Sequence, residues 1–472
     1  MVALSGWDWA AFGLLALVLL ALGGSARMAR ANALDYVSAG RALTLPAFVA
    51  TLVVTWYGGI LGIGESVSYF GTGTWLLLGV PYYVFGVGYA LFLARRVREA
   101  DEVSIPERLR KFFGPRTGLA VAALVVLLGV PAAHALMLGV VLRSLSGWPI
   151  EASILVAAVA ASACFVRSGL IADVRAAFVA FPLMFAGFFA IVATCLSTRP
   201  STQALRSLLQ GPMGTLDGGQ GPLAVATFFV LGAWTLVDPG FHQRAASAAS
   251  KEVAKRGVVL AVVCWAVFDL LSITAGLYAV ALVKPVPDDP LLLFPLLADQ
   301  VLPPGLKGLF FAGVVGTVLN ALVSYALVSG SAIGRDIVAR VRPSADPLLA
   351  SRWGVAVAVL VAVALAWTVK SVVALWYSWA GCIVGALLTP FLLAYFRPGP
   401  TRSDTWVAAS AAIGFLTGAG WMAYGMAAGN PQLLVTLPSG EQTGLGTLLP
   451  SWVVTTLLLL GGRRTQPTEG TP

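Results

Sequence analysis

Long apolar stretches recur along the whole chain, and short polar segments separate them. Each stretch has about 20 residues, the length at which an α-helix crosses roughly 30 Å of hydrocarbon. The pattern predicts thirteen membrane spans, centred near residues 15, 55, 84, 130, 160, 185, 230, 268, 322, 360, 383, 418 and 454. We therefore expect an all-α polytopic membrane protein.

Composition supports this class and argues against several functions. Hydrophobic residues make up 58% of the 472 positions and charged residues only 11%, too apolar for a soluble fold. The four cysteines are far apart and there are only two histidines, so we expect no metal or haem cluster. Neither GxSxG nor HExxH occurs, and we expect no enzyme. The first span lacks a basic leader and a cleavage site, which favours a retained helix over a signal peptide.

The distribution of basic residues predicts the orientation. Alternate loops hold 24 of the 30 lysines and arginines, among them Arg27, Arg30, Arg244, Arg463 and Arg464. Short basic loops stay in the cytoplasm, so the N-terminus is predicted outside and the C-terminus inside the cell membrane. This bias and contact with anionic lipid explain the net charge of +9 without any nucleic acid. The other six basic residues are Arg143, Arg199, Arg206, Lys284, Lys307 and Lys370.

Two of the spans are interrupted by helix-breaking residues. The second contains "TWYGGILGIGES" (55–66), and the seventh contains "AWTLVDPGFHQR" (233–244). An offset of five spans inverts one half relative to the other, and paired interrupted helices in inverted halves are typical of a carrier site. Close helix packing through small residues is the alternative explanation of the glycines.

Together with the family resemblance given next, which implies two five-helix repeats, these observations predict a 5+5 inverted-repeat core with two discontinuous helices. The repeats would be 35–196 and 222–396, joined by an extracytoplasmic loop at 197–221. An extra helix and cytoplasmic loop at 1–34 would precede the core. Two further helices and a short tail at 397–472 would follow it.

Four segments resemble the sodium:solute symporter family, in the order in which that family has them. They are the "AGR" loop and glycine-rich helix of 35–73, "READEVSIPERLRKFFG" (98–114), "GFHQRAASAASKEVAKRG" (240–257) and "LKGLFFAGVVGTVLNALVSYALVSGSAIGRDIV" (306–338). The resemblance spans about residues 35 to 400. It implies the leucine-transporter fold and cation-coupled symport of a small organic solute by alternating access, with sodium as the coupling ion.

The resemblance also implies where sodium binds. The family's backbone carbonyl ligands match Val54 and Tyr57, and its ligands on the eighth core helix match Thr317, Asn320 and Ala321. Ala321 stands where a hydroxyl is expected and offers no side-chain oxygen to a hard cation.

A second departure from the family lies before the fifth core helix. Ala176 and Ala177 stand where a Thr-Asp pair is expected, and the nearest acid is Asp173. The two departures favour, as an alternative, a proton-coupled symporter or an uncoupled carrier. Glu65 would then carry the proton, because desolvation of a carboxyl at membrane depth favours its neutral form. The other interpretation of Glu65 is a wet interfacial residue.

The solute is expected at the two helix breaks. The predicted contacts are Trp56, Gly58 and Glu65 from the second span, and Trp234, Thr235 and Asp238 from the seventh. Asp238 favours a solute with an amino group or several hydroxyls. A packing role for the tryptophans remains an equal alternative, and for His134 and Asp269 a structural role is favoured.

Other classes fit the sequence less well. A non-transporting sensor or scaffold built on the same fold is the remaining alternative, although only about ten residues follow Leu460. A channel has no need of two inverted broken helices. We expect a monomer or a weak homo-oligomer.

Overall fold

The computed structural model describes residues 2–26, 28, 31–397, 399, 402–430, 433–436 and 442–462. Arg27, Arg30, Arg463 and Arg464, which contribute to the predicted orientation, lie outside the described residues. The described part of the chain is almost entirely helical, as predicted. The helices are α1 (Gly6–Ser25), α2 (Ala33–Ser38), α3 (Leu45–Phe70), α4 (Trp75–Glu99), α5 (Ile105–Phe113), α6 (Pro115–Ser146), α7 (Ile150–Phe165), α8 (Leu170–Ser197), α9 (Arg199–Leu209), α10 (Pro222–Ser247), α11 (Lys251–Leu282), α12 (Leu293–Val301), α13 (Leu306–Val341), α14 (Pro347–Thr368), α15 (Val372–Phe396), α16 (Asp404–Ala427) and α17 (Leu448–Gly461).

Ten of these helices are long and apolar enough to cross a membrane, counted over the described residues. They coincide with ten of the thirteen predicted spans. Shorter apolar helices, α1, α7 and α17, lie at the other three positions. The polytopic helical class is thus confirmed, while the count of thirteen spans stays a prediction.

Both predicted interruptions are present. In α3 a short 3-10 turn at Tyr57–Gly59 separates two α-helical halves. In α10 the regular helix stops at Leu231, and Asp238 has extended backbone angles before the last segment, Pro239–Ser247. Proline and glycine after Asp238 favour this local break because proline removes a backbone donor and glycine weakens the helix.

The helices pack closely where small residues face a neighbour's backbone. A Cβ added at Gly313 of α13 would lie 2.7 Å from the carbonyl oxygen of Leu183 in α8. At Gly187 of α8, the same construction meets the Cα of Phe310 at 2.9 Å. The two helices therefore approach along their small residues, as membrane helices commonly do.

The C-terminal region adds a small element that the apolar pattern does not predict. Strands β1 (Leu434–Thr436) and β2 (Gln442–Gly444) form an antiparallel hairpin between α16 and α17. The hydroxyl of Tyr377 in α15 donates to the carbonyl of Gly444, 3.1 Å away. This bond ties the hairpin to the core.

Candidate functional site

A cavity of about 120 Å³ lies where the two interrupted helices meet. The turn of α3 contributes Trp56, Tyr57 and Gly59 to its wall, and the break of α10 contributes Trp234. The rest of the wall comes from α4, α6, α11, α13 and α15. The two breaks predicted from the sequence thus line one site.

Nine of the twenty described wall residues carry an aromatic ring. These rings belong to Trp56, Tyr57, Tyr82, Tyr83, His134, Trp234, Tyr325, Trp376 and Trp379. Trp56 is held in place by neighbours, since it stacks on Trp265 at 5.1 Å and meets the edge of Tyr82 at 4.8 Å between ring centroids. These aromatic side chains have few rotatable bonds and offer a solute a large apolar contact surface.

Asp269 of α11 is the one carboxylate among the described residues that line the cavity. Its carboxylate accepts a short hydrogen bond from the Tyr83 hydroxyl. The side chain is 6% exposed. The sequence favoured a structural role for Asp269 and for His134, and the structure places both in the cavity wall.

Of the six predicted solute contacts, Trp56 and Trp234 lie in the wall and the other four do not. Gly58 packs against α13, where an added Cβ would lie 1.9 Å from the Cβ of Ala321. Thr235 is fully buried, and its hydroxyl has no hydrogen-bond partner within the described part of the chain. The contact between Gly58 and Ala321 agrees with the alternative explanation of the glycines, in which small residues allow helices to pack closely.

Asp238 precedes the last segment of α10 and is not among the residues that line the cavity. Its carboxylate accepts from the backbone N–H of Phe241 at 2.8 Å and from the hydroxyl of Tyr325 at 3.1 Å. Such N-cap bonds satisfy amide donors that have no partner within the helix. The prediction that Asp238 selects an amino or polyol solute has no support from this geometry.

Glu65 joins the second half of α3 to the start of α15. Its carboxylate accepts from the Ser371 hydroxyl and from the backbone N–H groups of Val372 and Val373, the latter two at 2.9 and 3.1 Å. The side chain is 1% exposed, so the wet interfacial interpretation is wrong. Glu65 lies outside the cavity wall and acts as a contact between helices.

The predicted sodium ligands lie on two elements that pack against each other, α13 and the region of α3 around its turn. Val54, Thr317 and Asn320 are buried, and α13 packs against the turn that contains Tyr57. The Thr317 hydroxyl donates to the carbonyl of Gly313, while the Asn320 amide nitrogen donates to the carbonyl of Asp173 at 2.8 Å. The side-chain oxygen of Asn320 is buried and accepts no hydrogen bond from any described residue.

Arg244 and Asp173 form a buried ion pair next to these residues, since Asn320 bonds the backbone carbonyl of Asp173. The guanidinium Nη2 lies 3.0 Å from Asp173 Oδ2, and both side chains are fully buried. The guanidinium also donates to Thr51, Thr55 and Ser324, hydroxyls of α3 and α13. Counting Arg244 among loop cations is therefore wrong, because it binds four helices together inside the core.

Sequence reasoning missed Arg244, the pairing of Asp173, and the role of α15. Trp376 and Trp379 of α15 line the cavity, and Trp376 packs on Gly59 and Gly62 of α3, 2.4 and 2.7 Å from the Cβ positions built there. A partial signal existed for Asp173, which stands out as the acid closest to the degenerate Thr-Asp position. Nothing local in the sequence indicates its partner 71 residues away.

Comparison with known proteins gives one family. The sequence model of the Sodium:solute symporter family matches residues 36–398. Among curated proteins, none matches the sequence.

Two solved transporters share the fold. A Na+-coupled sialic acid symporter in a substrate-bound outward-open state superposes with a TM-score of 0.76 at 14% identity, covering 98% of this chain and 99% of its own. Mhp1, a nucleobase-cation-symport-1 family transporter in a closed conformation with bromovinylhydantoin bound, gives a TM-score of 0.58 at 14% identity, covering 89% of this chain and 92% of its own. These likenesses show the leucine-transporter fold.

Proposed function

Since this chain belongs to the sodium:solute symporter family, a family of secondary transporters and not of enzymes, we propose that it couples sodium entry to the symport of a small organic solute. The cavity formed by both interrupted helices is the observation that carries this proposal. Breaks at matching positions of two inverted halves bring backbone groups and side chains to a midplane site. The solute would bind against Trp56 and Trp234.

Sodium would bind beside the cavity, between α3, α8 and α13. The carbonyl groups of Val54 and Tyr57, with Thr317 and Asn320, form the proposed ligand set. Asp173 would supply the oxygen that Ala321 lacks, since its Oδ1 is buried and has no hydrogen-bond partner in the described structure. Carboxylate, amide and carbonyl oxygens suit a hard cation.

Two groups of contacts on opposite sides of the α3 break would serve alternating access. Arg244 holds the first half of α3 through Thr51 and Thr55, and Glu65 holds the second half to α15. Transport requires each group to form in one state and to separate in the other, because the solute must leave by the side it did not enter.

The proton-coupled alternative assigns the proton to Glu65. Two of its partners are backbone N–H groups, which need an acceptor. Protonation of Glu65 would leave its carboxyl group with fewer acceptor sites for these N–H groups and would weaken the contact between α3 and α15. This geometry supports a contact role over proton transport.

Sodium binding can be tested before the solute is known. Thermal unfolding of the purified protein is measured in sodium and in potassium chloride at equal ionic strength and at two pH values, with Glu65→Gln alongside. At ten times Kd a bound ion stabilises by about 1.4 kcal/mol. We expect a saturable sodium shift that Asn320→Ala abolishes and Glu65→Gln retains.

Ser162→Ala is the matched control, because its half-buried hydroxyl bonds only within α7. It should keep the full sodium shift. Equal melting temperatures in both salts, with a pH-dependent shift that Glu65→Gln removes, would contradict sodium coupling and favour the proton.

We propose the cell membrane as the location, with the N-terminus outside and a monomer or weak homo-oligomer as the working unit. Single cysteines placed at exposed Gly6 and exposed Arg342 test the orientation in intact cells. An impermeant maleimide should label the first and spare the second. Labelling of only the second would invert the proposed topology.

A further inference from the structure

The cavity wall combines four indole rings with one carboxylate, one imidazole (His134) and no lysine or arginine among its described residues. Trp56, Trp234, Trp376 and Trp379 come from three helices and are only partly buried although they lie in the interior. The faces of indole rings attract cations, most strongly where water is excluded. No lysine or arginine occurs among the described residues of the wall.

Asp269 therefore lacks a cationic partner in the cavity. The Tyr83 hydroxyl bonds its carboxylate and the Tyr57 hydroxyl lies close to it, but both groups are neutral and no lysine or arginine of the described wall compensates the charge. An ionisable group at membrane depth is costly and marks a functional site unless a partner compensates it. A positively charged solute would provide that compensation.

One wall residue, Trp234, also has a donor without an acceptor. The indole Nε1 of Trp234 is buried, and no described residue accepts its hydrogen. A buried donor of this kind destabilises the protein when it is left unpaired. An oxygen on the solute would satisfy it.

We propose that the transported solute is a small organic ammonium ion that carries a hydroxyl or carbonyl oxygen. Asp269 is its counter-ion, the indoles form an aromatic box around the ammonium, and Trp234 donates to the oxygen. This inference rests on the proposed transport function. The cavity volume of about 120 Å³, close to that of cavities that hold one benzene, limits the solute to a few carbon atoms.

Other solute classes fit the wall less well. An anion would meet the Asp269 carboxylate without a compensating cation. A sugar would need hydrogen-bond partners for several hydroxyls, whereas the wall is mostly apolar. A neutral Asp269 that carries a proton is the competing explanation, and the experiment separates it from a counter-ion.

The test compares choline with 3,3-dimethylbutan-1-ol, which has the same shape without the charge. Ethanolamine and its N-methylated forms complete the ammonium panel. Binding to the purified full-length protein is measured by calorimetry at fixed sodium concentration. We expect at least one ammonium ion to bind tenfold or more tightly than its uncharged isostere. This comparison uses the wild-type protein alone.

Variants then assign the contact. Asp269→Asn should weaken ammonium binding at least tenfold and leave the isostere unchanged. Trp234→Phe should weaken the binding of choline and leave that of tetramethylammonium, which has no oxygen, unchanged. Asp288→Asn, an exposed acid outside the cavity wall, should bind as the wild type does.

Three results would overturn the inference. They are equal affinity for the ammonium ion and its isostere, an unchanged affinity in Asp269→Asn, and no binding by any ammonium ion in the panel. If the sodium shift persists in these cases, the solute class is wrong while sodium-coupled transport stands. Loss of the sodium shift in the wild type would contradict the proposed function itself.

Discussion

Breaking the buried pair of Arg244 and Asp173 should destabilise the core far more than any surface charge change. Each single substitution, Asp173→Asn or Arg244→Met, leaves the other charge buried and unpaired, at a cost of about 3–5 kcal/mol. Both side chains are fully buried at a separation of 3.0 Å, so solvent screens neither. The double variant removes both charges and should be no less stable than either single variant.

The magnitude translates into a measurable melting shift. At about 2 cal/mol/K per residue, the 472 residues give an unfolding entropy of about 1 kcal/mol/K. Each single variant should therefore melt about 3–5 °C below the wild type. The measurement is thermal unfolding in detergent, in potassium chloride so that sodium binding at Asp173 does not contribute.

The surface pair of Lys251 and Glu99 is the matched control. Its atoms are 2.8 Å apart but both side chains are about half exposed, so its loss should leave the melting temperature nearly unchanged. If the effects of Asp173→Asn and Arg244→Met simply add in the double variant, the two side chains are not coupled and the reasoning fails.

Two further substitutions test the α3 contacts. Gly58→Ala should cost about 1–3 kcal/mol or more in thermal unfolding, because its Cβ would overlap that of Ala321, whereas Gly88→Ala has open space and should be neutral or stabilising; equal effects would contradict the packing account. Glu65→Gln should lower stability by about 1.5–3 kcal/mol, because its amide cannot accept all three bonds to the segment that begins at Ser371. An unchanged melting temperature in Glu65→Gln would show that this contact is not formed.

Local signals in the sequence predict the helical class and both helix breaks. Apolar length identifies the spans, and the glycines near Gly58 and the Asp-Pro-Gly of 238–240 act on their own backbone. Such features need no knowledge of tertiary contacts. Because these features act locally, both helix breaks in the structure lie where the sequence predicts them.

The chemistry of the site depends on contacts between distant segments. Glu65 finds its partners 306 to 308 residues away, and Arg244 resembles a loop cation until the fold buries it. Asp269 is a single acid in an apolar span, and only the fold shows which cavity it faces. Only two of the six predicted solute contacts line that cavity, because contacts between distant segments decide which side chains face it.

Uptake into proteoliposomes tests the central claim most directly. The vesicles are given a defined mixture of small ammonium compounds, amino acids, sugars and carboxylates under an inward sodium gradient, and their contents are quantified by mass spectrometry. The account predicts that at least one solute accumulates above its external concentration. A sodium ionophore, or replacement of the sodium gradient by an equal potassium gradient, should abolish this accumulation. Two results would contradict sodium-coupled symport. The first is solute accumulation that stays the same when the sodium gradient is collapsed. The second is the absence of any solute accumulation in vesicles whose protein shows the sodium-dependent melting shift.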